Sequence, residues 1–218
     1  MVLVALAHYW LTAKSYTVSP KEFRKVAEKH AGKAQDRLGQ VQLIKDLRGS
    51  FYPHIMADAE LQWVQFSTSG GLHGRLQLLH ASVTEYMALV QFPVESSGSL
   101  GLHLGNHSCA VLTGKLSRFP TSFWSQQPTG KADAFTQGQH ARHYMFETGL
   151  ISAEEGTTLL CYGRGVIPTM GPYLTLGNWI QLDPLNPGIL YWTYFRAAVR
   201  EMLAGAQETF QYYKRKYM

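Results

Sequence analysis

Residues 75–92 read RLQLLHASVTEYMALVQF. Two short apolar runs, Arg75 to Leu79 and Tyr86 to Phe92, flank a stretch that carries Ser82 and Thr84. The same texture continues downstream in Ala110 to Leu112, His143 to Phe146 and Thr158 to Tyr162, with Gly, Ser, Pro and Asn clusters between the runs. Apolar runs of this length and spacing predict many short strands, hence a barrel or a sandwich between about residues 60 and 168. Helical patterns lie on both sides. Ser19-Pro20-Lys21-Glu22 has the form of a helix start, with Ser19 as cap, Pro20 in the first turn and Glu22 closing a capping box. Phe23, Val26, Ala27 and His30 then share one face, and Gly32 ends the helix. A second helix is expected from Gln35 to Leu47, with Leu38, Val41 and Leu47 turned inward. From Gly188 onward, Leu190, Tyr194, Ala197, Ala198, Glu201 and Met202 restore a helical period. The fold class is therefore α+β.

The chain of 218 residues is 45% hydrophobic, 12% aromatic and 16% charged. One domain with a substantial core fits that length. The charged fraction is below the usual quarter, so part of the surface is expected to be covered by a partner, a membrane or another copy. The formal net charge is +5. Part of it sits in Lys214, Arg215 and Lys216 beside Tyr212, Tyr213 and Tyr217, which suits either anionic lipid head groups or a frayed solvated end. Tyr191, Trp192, Tyr194 and Phe195 read equally as a membrane-interface belt or as core. No nucleic-acid motif is present. The apolar run from Met1 to Leu11 is shorter than the roughly 20 residues that cross a bilayer and lacks the pattern of a signal peptide, so it reads as an interfacial anchor, a truncated transmembrane segment or a helix buried in the fold. Two cysteines, Cys109 and Cys161, do not make a disulfide framework by number.

Three segments carry a resemblance: Glu60 to Val64 followed by Gly70-Gly71-Leu72-His73-Gly74, then Leu78 to Tyr86, then Tyr162-Gly163-Arg164-Gly165-Val166-Ile167-Pro168. In order and spacing they resemble the family of the sigma non-opioid receptor and the fungal C-8 sterol isomerase, over roughly residues 15 to 205. The resemblance implies an apolar segment 1–13, N-terminal helices over 14–58, a cupin-like β-barrel with a ligand cavity over 59–170, and membrane-facing C-terminal helices over 171–218. It also implies an endoplasmic reticulum membrane location and a homotrimer, with Gly70, Gly71 and Gly74 at the subunit contact. Its ligands are hydrophobic small molecules, and it needs no cofactor. By the same resemblance Leu72, Leu76, Tyr86, His107, Ala153 and Tyr162 are substrate-binding positions.

The resemblance also exposes a departure. Its members carry two acidic residues inside the barrel; counted along this chain, the two positions fall on Cys109 and Cys161. A carboxyl group is ionised at neutral pH and stabilises a nearby cation, whereas a thiol is mostly neutral and burial keeps it so. Sterol C-8 isomerisation and tight amine binding are therefore expected to be weak or absent. The two cysteines could be wall residues, a disulfide or a catalytic thiol. Tyr86 and His143 are the remaining catalytic candidates, with His103 and His107 near Cys109, and Glu85 an anchor. His140, His143 and Glu147 offer part of a metal ligand set, but their spacing is not the cupin alternation and the resembled family is metal-free. A longer stretch at Phe119 to Gly130, and Pro172, Pro184 and Pro187, are expected to reshape the cavity and its entrance. The expected activity is isomerisation or cyclisation of a polycyclic or polyene metabolite, with a non-catalytic lipid-binding protein as the alternative and residual sterol isomerase activity through His143 as a third.

Overall fold

A computed structural model describes residues 16–122 and 131–217. Among the described residues two helices come first, α1 (Pro20–His30) and α2 (Arg37–Phe51). Ten strands follow: β1 (Trp63–Ser67), β2 (His73–Ala81), β3 (Glu85–Phe92), β4 (Ser96–Ser99), β5 (Gly105–Thr113), β6 (Leu116–Ser122), β7 (Asp133–Phe135), β8 (His140–His143), β9 (Glu147–Ala153) and β10 (Thr157–Gly165). Helices α3 (Met170–Ile180) and α4 (Leu185–Tyr217) close the chain.

The strands form a six-stranded sheet in the order β1-β2-β3-β10-β5-β8 and a four-stranded sheet in the order β4-β9-β6-β7. Their pairings are antiparallel. The hydrogen-bonded ladders do not join the two sheets into a closed barrel, so the expected barrel is instead a sandwich whose larger sheet is covered on both faces. One core fills the space between the sheets, from Leu76, Ala88, Val111 and Leu159 of the large sheet to Leu116, Ile151 and Ala153 of the small one. The other lies behind the large sheet, where Phe23, Val26, Leu43 and Leu47 of α1 and α2 cover Leu79, Met87, Leu89, Ala110, Leu112 and Leu160. Side chains alternate across a strand, so Leu159 and Cys161 of β10 face one core and Leu160 and Tyr162 face the other.

Glu85 joins the layers. It is 1% exposed. It accepts hydrogen bonds from the backbone N–H of Thr17 at 2.8 Å and Val18 at 3.2 Å, and from the Tyr162 hydroxyl at 2.6 Å. Arg164 lies 4.0 Å from the same carboxylate, donates to Tyr162 Oη, and places its Nη2 2.6 Å from the Val18 carbonyl. Asp46 of α2 ties the two outer helices together through Lys29 at 2.6 Å and His30 at 2.8 Å. The long α4 is clamped by Glu201 to His54 at 2.8 Å and by Arg200 to Glu60 at 2.8 Å.

Several local readings change. Ser19 makes no side-chain cap bond to α1, although Phe23, Val26, Ala27 and His30 are its buried face. Helix α2 runs from Arg37 with Asp36 as its cap, and it buries Leu43, Ile44, Leu47 and Phe51; of the expected inward face Leu47 is buried, whereas Leu38 and Val41 are exposed. Of the run His143 to Phe146, His143 ends β8 and Tyr144 to Phe146 form the turn to β9, with Phe146 at φ 65°. The C-terminal helix begins at Leu185, with Pro187 accommodated in its first turn, where a proline leaves no helical bond unmade. Gly70 is needed within the chain itself, because a Cβ there would stand 2.5 Å from the Ser99 carbonyl oxygen. Among the described residues no helix is long and apolar enough to cross a membrane. The expected segment 1–13 lies outside the described residues, as do residues 123–130 of the longer stretch.

Replacing Glu85 with alanine strands the buried Val18 N–H, the part-buried Thr17 N–H and the buried Tyr162 hydroxyl. The expected cost is about 3 kcal/mol, a fall of roughly 6–12 °C in melting temperature for a chain of this size. Glu85→Gln, which keeps one acceptor oxygen, should lose less. Thermal unfolding followed by circular dichroism checks both, and an unchanged transition in Glu85→Ala would remove this carboxylate from its structural role.

Candidate functional site

Between the sheets, on the side covered by α3 and α4, lies a cavity of about 270 Å³. Its walls follow from strand register. One cross-strand row runs Ala88, Cys161, Cys109, Ala141, and the next runs Tyr86, Gly163, His107, His143. The first row is apolar and joined by a disulfide between Cys109 and Cys161, whose Cα atoms are 4.0 Å apart. Both cysteines line the cavity. Both sulfurs are consumed by the bond, so neither cysteine supplies the thiol that the sequence left open.

The second row is polar, and its glycine explains part of the Tyr-Gly-Arg-Gly segment. A Cβ on Gly163 would fall 2.2 Å from Tyr86 Cε1 and 2.4 Å from His107 Nδ1. Only a bare backbone leaves room for those two rings to meet over β10. Tyr86 Oη lies 3.2 Å from His107 Nδ1. His103 stands edge-on to His107 at 5.2 Å between centroids and to Tyr173 at 5.5 Å. His107 Nε2 and His103 Nδ1 are buried without a hydrogen-bond partner in the protein.

Burial dominates the electrostatics of this end. It pushes the His107 ring down to about 3, helped by the neighbouring His103 and His143. His143 is pushed down to about 3 as well, by burial first and then by Arg118 and His103. Burial also lowers His103, against the opposing pull of a hydrogen bond to the Leu100 backbone. The Tyr86 hydroxyl is raised far above its ordinary range by burial. At neutral pH the cluster is therefore an array of uncharged donors and acceptors. No Asp, Glu, Lys or Arg lines the cavity among the described residues.

The helices complete the enclosure with residues that the aromatic belt reading had left ambiguous. Tyr191 and Tyr194 face the cavity while Trp192 and Phe195 are exposed. Tyr194 donates to the Ser82 carbonyl at 3.0 Å, Tyr191 meets Thr175 at 2.8 Å, and Tyr173 donates to the Ser99 carbonyl. The spacing Leu190, Tyr191, Tyr194, Ala197, Ala198 carries this inward face at the helical interval; Tyr173 and Leu174 had no comparable signal. Of the substrate-binding expectations, Leu72, Leu76, Tyr86 and His107 line the cavity. Ala153 belongs to the surrounding core without lining it, and Tyr162 points to the opposite face of the sheet against Glu85. His143 lines the cavity beside His107, whereas His140 lies outside it. The Glu147 carboxylate caps Tyr144 N–H at 3.0 Å and lies 3.6 Å from Arg118. Among the described residues no group of three or more His, Cys, Asp or Glu side chains could hold a metal ion, so the donors do not fit the metal centre weighed for a cupin-like site.

Comparison with known proteins sets this site in a lineage. The family model described as "ERG2 and Sigma1 receptor like protein" matches residues 1–206. A sigma non-opioid intracellular receptor 1 from Taricha granulosa is 33% identical over 171 residues, covering 78% of this chain and 73% of the relative. A C-8 sterol isomerase from Mycosarcoma maydis is 31% identical over 150 residues, covering 67% of this chain and 58% of the relative. Among solved structures, KdgF from Halomonas sp. aligns at a TM-score of 0.41 and 11% identity, covering 53% of this chain and 98% of that one. The chain belongs to the family of the ERG2 and sigma-1 receptor-like proteins.

Proposed function

We propose that the protein is a cofactor-independent isomerase or cyclase acting on a lipophilic polycyclic or polyene metabolite. The observation that carries this reading is the cavity itself: apolar on nearly all sides, without an ionised group among the described residues, and polar only at the neutral cluster of Tyr86, His103, His107 and His143. An apolar enclosure orders a flexible chain into one reactive shape. A pre-positioned hydroxyl and imidazoles then stabilise charge that develops on a substrate oxygen in the transition state. The Tyr86 hydroxyl donates most readily, since burial keeps it protonated, and His107 orients it. His143 acts here as a neutral hydrogen-bonding group, because its imidazole takes up a proton only as the pH falls toward 3.

This chemistry differs from the carboxylate-assisted carbocation chemistry that the resemblance implies for the sterol isomerases. Where the resemblance places two acids, this chain has the Cys109–Cys161 disulfide, which cannot balance a cation. That same loss supports a second reading, a non-catalytic lipid-binding protein. Lipid co-purified with the chain and released unchanged after incubation would favour it over the enzyme.

Incubation with candidate polyenes and polycycles, with products resolved by mass spectrometry and chromatography, tests the proposal. Tyr86→Phe should lower turnover by about tenfold or more while leaving the fold intact. The rate should stay flat between about pH 5 and 9: the histidine values are depressed, so the rings remain neutral throughout, and the tyrosine value is raised, so the hydroxyl keeps its proton. A bell-shaped profile centred in that window, or full activity in Tyr86→Phe, would contradict the assigned roles.

The paired substitution Cys109→Ser and Cys161→Ser separates wall from reagent. The bond closes a loop with a sequence separation of 52 residues, so its loss should cost about 2–4 kcal/mol in denaturant unfolding. Turnover below the new melting point should stay within a few-fold of the parent. Complete loss of activity in the folded variant would give the sulfurs a chemical role.

The proposal extends to a membrane surface of the endoplasmic reticulum and to a homotrimer. Exposed Trp179, Ile180, Trp192 and Phe195, and the basic end at Lys214, Arg215 and Lys216 roughly 30 Å further along α4, support the first. Trp192→Ser with Phe195→Ser should reduce flotation with anionic vesicles, and analytical ultracentrifugation should find three copies; unaltered flotation or a monomer would count against these extensions.

A further inference from the structure

The wall made by His107 and His143 has two sides. Toward the sheets it bounds the apolar cavity; on the other side the same two residues line a groove of about 250 Å³ on the outer surface. That groove is basic. Arg24 of α1, Arg142 of β8 and Arg164 of β10 line it together with Asn106, Ser108 and His140, and no carboxylate lines it among the described residues. Glu85, 4.0 Å from Arg164 on the same face of the sheet, offsets that guanidinium. Arg24 and Arg142 enter no ion pair among the described residues; of the carboxylates in the adjoining groove that they also line with His140, Asp133 is paired with Arg118 and Glu28 offsets part of their charge, so the site keeps a net positive charge.

Three further features belong to the same place. Both ring nitrogens of His140 are buried there without a hydrogen-bond partner, and a buried polar atom left unpaired is costly unless a ligand or water supplies the partner. The first turn of α1 opens on the groove through Pro20 and Phe23. Ser19 does not cap that turn with its side chain, which leaves the positive end of the helix available to an anion. Burial is the main cause that keeps the His140 ring neutral, followed by the positive charge of Arg24; Glu28 opposes it and Arg142 adds to it.

We infer that this groove binds a phosphoryl group or a comparable multivalent oxyanion, held between the guanidinium groups of Arg24 and Arg142 with His140 as hydrogen-bond donor. Guanidinium groups bind phosphate oxygens in pairs of parallel hydrogen bonds, and two of them around one site favour a dianion over a carboxylate. The site is distinct from the apolar cavity and does not depend on what that cavity takes. The phosphoryl group could belong to a small phosphorylated molecule or to a lipid head group; its recognition chemistry is the same.

Calorimetric titration of the full chain with inorganic phosphate and with pyrophosphate, at fixed ionic strength with chloride as control, tests the small-molecule source. Co-sedimentation with phosphatidylcholine vesicles, with and without phosphatidic acid, tests the lipid source. Saturable binding is expected in at least one arm, weakened by at least about tenfold in the double variant Arg24→Gln, Arg142→Gln. Both side chains are exposed, so this variant should keep the parent's melting temperature. On titration the His140 ring resonances should shift, and His140→Phe should bind more weakly. Arginine-dependent binding in the phosphate arm assigns a phosphorylated small molecule, and in the vesicle arm alone a lipid head group. No saturable binding in either arm, or binding unchanged in the double variant, would overturn the proposal.

Discussion

Strand β10 has to serve two interiors, and the two-residue period of its side chains is what lets it do so. It is hydrogen-bonded on one edge to β3 and on the other to β5, so its backbone has no freedom to rotate. Leu159, Cys161 and Gly163 are thereby committed to the side of the cavity, and Leu160, Tyr162 and Arg164 to the side of the outer helices. A slip of one residue would place Tyr162 in the cavity and bury Cys161 under α1. Glu85 resists such a slip from the other direction, because Tyr162 and the Arg164 side chain meet its anchored carboxylate only in the observed register.

The cavity's chemistry is a consequence of that geometry. Rows across the large sheet set like beside like, an apolar sulfur-containing row next to a row of one tyrosine, one glycine and two histidines. In so dry a space an imidazolium is costly, and three neighbouring rings cannot share more than a small fraction of a proton among them. The histidines are consequently held as neutral dipoles. Their value to a substrate lies in direction and position, since the groups are aligned before the substrate arrives and little reorganisation is needed on binding.

Much of this was legible in the chain, for reasons that can be stated residue by residue. Short apolar runs bounded by Gly, Ser and Pro located β2, β3, β5 and β10, because a buried strand must be apolar along its length. The placement of Cys109 and Cys161 in one cavity wall followed from the resemblance, whose two acidic positions fall on them, although their covalent pairing depended on a distance that spacing does not supply. Strand β4, Ser96 to Ser99, left no apolar trace; it is a strand through pairing with β9, and its Gly98 admits the backbone of Gly70. Leu38 and Val41 continued an apolar period that the real helix turns to solvent, since α2 is positioned by Leu43, Leu47 and Phe51 against the sheet. Tyr162 was assigned to the cavity on resemblance, where the alternation from Cys161 would have sent it to the other face. Whether sheets close into a barrel depends on edge strands far apart in sequence, and no local pattern reports it.

The disulfide between β5 and β10 has a mechanical consequence. It crosslinks the floor of the cavity at its centre, where flanking ladder bonds already resist separation. Dilation to admit a bulky guest is therefore not shared evenly around the enclosure; its compliance is concentrated in the roof. That roof is made by Met170, Leu174, Leu190 and Tyr194, on helices held to the sheet by side-chain contacts such as Asn178 to the Ser67 backbone and Asn186 to the Gln65 backbone. The stiff floor fixes the shape a guest must finally adopt, while the softer roof governs how quickly it enters and leaves.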